Sequence, residues 1–196
     1  MTILIIGLVL FLGAHSLRIF APGWRAAQIA RRGEKPWKGI VSVISLVSFV
    51  LIIWGYGLAR ADPANVVLYV PPLWTRHLAS LLTLAAFVLL IAAYVPRNHF
   101  KQALGHPMAA AVKVWALAHL LANGRMADVL LFGGFLVWSI LSFTAGRKRD
   151  RAAGTVYPQG TLAMDAVTVV VGLAVWVAFA FYLHLAWIGV APFARG

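Results

Sequence analysis

The chain has 196 residues, 62% of them hydrophobic, and a formal net charge of +12 from 17 Lys+Arg against 5 Asp+Glu. A soluble domain stays near half apolar, so this composition excludes an ordinary soluble enzyme and points to a polytopic membrane protein, an expectation that the mean hydropathy of +0.88 supports. With no cysteine, disulfides, thiolate metal sites and cysteine nucleophiles are excluded, and the basic excess is expected to face anionic lipid and not nucleic acid.

A spanning helix needs about 20 apolar residues, and six segments approach that length: Ile3–Phe20, Gly39–Ala59, His77–Val95, Pro107–Ala122, Met126–Ala145 and Ala163–Val190. Pro22-Gly23, Pro71-Pro72, Pro96, Gly124 and Pro158 punctuate the joints. The sixth segment exceeds what a bilayer requires, so it is expected to tilt, kink or extend beyond it. No connection is long enough to bury a core of its own. The expected fold is therefore one all-α domain over 1–196, a bundle of about six transmembrane helices.

Orientation follows the Lys/Arg asymmetry. Arg25, Arg31, Arg32, Lys35 and Lys38 follow the first segment. Arg97 and Lys101 follow the third, and Arg147, Lys148, Arg149 and Arg151 follow the fifth. The other side holds Arg60, Arg76, Arg125 and Arg195. The first, third and fifth connections are then cytoplasmic, and both termini are periplasmic in a Gram-negative cell. The first segment lacks a basic leader and carries Arg18 at its far end, which suits an outward-starting first span better than a cleaved signal.

The helical rise sorts six histidines by depth. His15, His99 and His106 fall toward the inner edge; His77, His119 and His184 fall toward the outer one. His77, His99 and His106 lie where an imidazole meets interfacial water at no cost, and His106 before Pro107 also suits a helix start. An ionisable side chain deeper in the membrane is a functional candidate by default, although a neutral imidazole bonded to a facing helix accounts equally well for His15, His119 and His184. Lys113 shares a face with His106, seven residues earlier, and its stem leads toward the inner surface. Asp165, at the start of the sixth segment, could pair with it.

The available chemistry is narrow. A phosphate-binding glycine loop and the H-E-x-x-H spacing for zinc are both missing, and acids within the spans are nearly absent, which leaves hydrolysis poorly equipped. Lone histidines on separate helices of a bundle suit axial ligation of haem. Arg18, one turn beyond His15, and Lys113 could hold its propionates. By depth alone the pairs would be His15 with His106, or His119 with His184.

The stretch FLGAHSLR (Phe11–Arg18), together with GHPMAAAVKVWALAHLLANG (Gly105–Gly124), resembles the NnrU family of bacterial inner-membrane proteins, and the resemblance covers essentially the whole chain. It implies a role in denitrification, in the expression or activity of nitrite and nitric oxide reductases, with redox or reductase proteins as partners. The related zeta-carotene isomerase holds haem b between two histidines and isomerises a cis double bond in a redox-dependent way. Carried over by motif, its ligands fall on His15 and His119, with His106 as a further matching histidine. That relative has a cysteine near its second ligand and this chain has none, which departs from its cycle. The resemblance therefore implies haem b on His15 and His119, with His106 in reserve, although their depths differ by about 10–15 Å at the helical rise. Two alternatives remain at this level. One is a haem-dependent isomerase acting on a polyene lipid. The other is an isoprenylcysteine-type methyltransferase, whose His-Pro normally follows an arginine where this chain has Gly105 and whose downstream acids are missing here.

Overall fold

The computed structural model describes residues 1–193; Arg195, counted above on the outer side, lies outside them. The helices run in chain order as α1 (Thr2–Phe20), α2 (Pro22–Arg32), α3 (Glu34–Ala61), α4 (Leu73–Ala92), α5 (His99–Leu104), α6 (Pro107–Ala122), α7 (Met126–Ala153), α8 (Leu162–Ala178) and α9 (His184–Ile188), with a π-helical segment, Phe179–Leu183, joining the last two. Among the described residues there is no strand, and Val67 meets Arg125 in an isolated antiparallel bridge. Five helical stretches are long and apolar enough to span a membrane, and α6 is a shorter apolar sixth. This is a multi-pass membrane protein.

Helix boundaries follow local chemistry. Pro22 opens α2 at the first turn, where a missing N–H costs nothing. Gly33, at φ +85°, ends it. Asn98 caps α5 by accepting from Lys101 N at 2.7 Å. Gly105, at φ +72°, then turns the chain into α6, which starts on Pro107. At Thr161 the hydroxyl accepts from Met164 N and starts α8. Sequence reading stops the fifth span at Ala145, yet α7 continues to Ala153, because Arg-Lys-Arg-Asp-Arg favours helix and Gly154, at φ +61°, is the first residue to end it. The connections hold two helices, α2 and α5, that are too short and polar to be marked by a long apolar run.

The packing forms two layers. α1 lies along α3 and touches α7; α4 lies along α6 and touches α8; α6 against α7 joins the halves. The first contact is close because it is built on glycine. A Cβ on Gly7 would come within 2.8 Å of Ile52 N, and one on Gly55 would collide with the Leu4 backbone. In the second half Gly172 lies against the Val88 backbone in the same way. These glycines let helix backbones approach closely. Of the Ser42, Ser45, Ser48 and Gly133-Gly134 set that marks small-residue packing in the sequence, Ser48 is fully buried, Ser42 is exposed, and a Cβ on Gly133 would meet nothing. Large apolar side chains such as Val9, Leu46, Val70 and Val170 point outward, as a lipid-facing surface requires.

Contacts at the two ends establish how the chain alternates. At one end the amino terminus lies 3.5 Å from Asp62, Arg60 donates to Ile188 O, and Arg125 donates to Asn65 O. At the other, Arg149 donates to Arg18 O, Arg147 to Leu104 O, and His99 meets Asp165. Six helical stretches therefore run from end to end of the bundle, and Met1 and Ile188 share an end. The charge asymmetry makes the second the expected inner end, and the two are called outer and inner on that expectation.

Candidate functional site

Three histidines have one ring nitrogen fixed by a backbone carbonyl. Nδ1 of His15 lies 2.7 Å from Phe11 O, one turn back on α1. Nδ1 of His119 lies 2.8 Å from Trp115 O, one turn back on α6. Nδ1 of His184 lies 2.7 Å from Val190 O, ahead of it in the chain. A carbonyl oxygen only accepts, so each Nδ1 is the donor, and in the neutral tautomer that this fixes the lone pair is on Nε2. This arrangement orients metal-ligating histidines.

His119 and His184 line one cavity near the outer end, about 400 Å³, within the range of small-molecule sites. Its walls come from α4 between Arg76 and Phe87, the last turns of α6, the end of α8, and the π segment with the chain beyond it. Five aromatic side chains line it: Phe87, Trp115, Trp176, Phe179 and Phe193. Trp176 Nε1 donates to Thr83 Oγ1 at 3.1 Å, tying α8 to α4 beside the cavity. Arg76 supplies a cation. His119 is held further by stacking on Phe132, at a centroid distance of 4.5 Å. His184 follows the π segment directly. A π turn shifts the phase of every residue after it and recurs at functional sites.

His15 and His106 line a second cavity near the inner end, about 330 Å³, with Arg18, Lys101 and Arg149. His106 is differently occupied from the other three. Its ring covers Gly146, where a Cβ would lie 2.5 Å from Nε2, and that nitrogen is 2.9 Å from the Asp150 carboxylate. Asp150 also accepts from the Tyr157 hydroxyl at 2.7 Å. Burial and that carboxylate push the Tyr157 phenol above its usual range. His106 is thus both the residue that opens α6 and part of an inner-edge polar cluster.

The structure does not bring His15 and His119 together. They line different cavities, and a run of ring contacts lies between them: His15 on Phe11 at 4.3 Å, Phe11 by Phe135 at 5.7 Å, Phe135 by Trp115 at 5.7 Å, Trp115 by His119 at 5.0 Å. The physical cause is height, since one imidazole sits near the inner end of α1 and the other near the outer end of α6. Lys113 does not reach Asp165. Its ammonium lies over the Phe143 ring at 4.8 Å, and Asp165 instead accepts from His99, through the ring at 2.6 Å and the backbone N–H at 2.8 Å. Arg18 lines the inner cavity. His77 is exposed on α4. His184, which no motif marks, is the partner that the depth ordering supplies for His119.

No cluster of three or more His, Cys, Asp or Glu able to hold a metal occurs among the described residues. A metal bound by two imidazoles therefore needs a macrocycle for its remaining ligands. The outer cavity offers such a group two imidazoles with Nδ1 bonded to backbone, five aromatic side chains and one arginine. His15 and His119 line separate cavities, so neither of these two cavities offers both imidazoles to one porphyrin.

Compared with known proteins, the chain matches the sequence model of the family described as NnrU protein over residues 3–192, and it belongs to that family. No curated protein and no solved structure matches it.

Proposed function

We propose that this member of the NnrU family is a haem b protein of the bacterial inner membrane that supports denitrification by carrying electrons or haem to nitrogen-oxide reductases. The observation that carries the reading is that His119 and His184 line one aromatic cavity, each with Nδ1 donated to a backbone carbonyl. Bound there, haem would supply one-electron chemistry. His119 and His184 are the proposed axial ligands, and Arg76 is the proposed partner of a propionate, by a charge-assisted hydrogen bond. Phe87, Trp115 and Phe179 would flank a bound ring and limit its contact with water, which would lower the dielectric around it. Assignment to the inner membrane rests on the basic residues that crowd one end of the bundle.

The protein is purified after expression with ample haem, and its pyridine haemochrome is measured. The expected result is about one haem b per chain with a Soret band that shifts on dithionite reduction. Protein that is folded, monodisperse and free of a Soret band overturns the proposal. The physiological arm is a gene deletion, for which lowered nitrite and nitric oxide reductase activities are expected; unchanged activities remove the denitrification role.

A further inference from the structure

The inner cavity carries a charge pattern that the haem reading leaves unused. Arg18 from the end of α1, Lys101 from α5 and Arg149 from the end of α7 all line it, beside the hydroxyl-bearing Ser142 and the oriented imidazole of His15. No carboxylate lines it. None of the three cations makes an ion pair among the described residues. The neighbouring acid, Asp150, is taken by Tyr157 at 2.7 Å and His106 at 2.9 Å.

Part of this has a local cause. Arg149 Nη1 donates to Arg18 O at 3.3 Å and Lys101 Nζ to Ala93 O at 3.0 Å, so each cation meets a carbonyl at a helix C-terminus, where positive charge is favoured. Those bonds use one donor each. A guanidinium has five N–H groups and an ammonium three, so most of the donors stay free. Helix-end chemistry also does not require three cations from three helices to converge on one cavity of about 330 Å³. Like charges held together repel, and a bound anion relieves that repulsion.

We propose that the inner cavity is a binding site for a phosphate group, with Arg18, Lys101 and Arg149 as its donors. A tetrahedral phosphate offers oxygens in several directions, which suits cations arriving from different helices, and planar guanidinium forks match it bidentately. Ile19, Met108 and Trp138 give the cavity an apolar side. The phosphate can come from a lipid headgroup at the cytoplasmic surface or from a free phosphate ion. The site shares no ligand with the outer cavity and lies at the other end of the bundle, so it stands whether or not haem binds.

Protein in a neutral maltoside detergent is titrated with inorganic phosphate and, separately, with dioctanoyl phosphatidylglycerol. Sodium chloride at equal ionic strength is the reference, and Tm is read from tryptophan fluorescence. A rise of about 2–4 °C over the chloride reference is expected with at least one probe. A rise with phosphate alone identifies the free ion, a rise with the lipid alone identifies the headgroup, and a rise with both supports the shared chemistry. R18Q/R149Q weakens the apparent Kd about tenfold or more, whereas R31Q/R32Q, which removes the same charge from the exposed face of α2 at the same end, keeps it. Should R18Q/R149Q fail to fold, Lys101→Gln is read by the same criterion. No rise with either probe, or equal weakening in the cavity and α2 variants, overturns the site.

Discussion

Gly55 and Gly57 lie two residues apart on α3 and make opposite demands. A side chain at Gly55 would strike the backbone of Leu4, which cannot step aside; one at Gly57 would meet nothing within 4 Å. Gly55→Ala is expected to cost about 1–3 kcal/mol through overpacking. Gly57→Ala is expected to be neutral or to stabilise by about 0.5–1 kcal/mol, because alanine loses less freedom than glycine in a helix. Comparing the Tm of both variants in detergent checks this; equal losses would show that α1 and α3 do not meet as closely as described. At this scale the sequence was informative about depth and uninformative about direction. Counting residues from the helix ends sorts His119 with His184 and His15 with His106, as the two cavities do. Motif matching instead favours His15 with His119, because a motif marks a residue as notable without saying which neighbour it faces. His184 has no motif, and its facing depends on the π turn before it.

Among the elements, α6 is bounded in the sequence as in the structure, from Pro107 to Ala122, because Pro at the start and Asn123-Gly124 at the end are strong local signals. α2 was not legible as a helix. It is short, polar and amphipathic, and the apolar run that reveals a span is absent from it. The break in the last span was expected only as one of several ways to use surplus length, and it takes the form of five π-helical residues. That segment sets the rotation of His184. Removing Ala180, within the π turn, restores an α-helical phase and turns His184 by about 100° about the helix axis. The deletion variant is expected to lose haem while keeping the helical signal of the parent in circular dichroism. Retention of the full haem complement would show that the π turn does not position the ligand.

For the molecule as a whole, a count of about six end-to-end helices was readable, because bilayer thickness sets span length. The arrangement of two half-bundles with a cavity toward each end was not, since it depends on which apolar faces meet. The natural chain has no cysteine, so single cysteines report topology without background. Cysteine introduced at Ala64, in the connection after α3, is expected to react with an impermeant maleimide from the periplasmic side. Cysteine at Gln159, between α7 and α8, is expected to react only after the membrane is opened. The reverse pattern would invert the bundle and with it the assignment of the inner cavity to the cytoplasmic surface. The central claim, that one haem lies between α6 and the end of the last span, is tested most directly by haem content in three purified variants. His119→Ala and His184→Ala are each expected to lose the low-spin reduced-minus-oxidised spectrum, and His15→Ala to keep it at the parental stoichiometry. Loss in His15→Ala with a parental spectrum in His184→Ala would contradict the account.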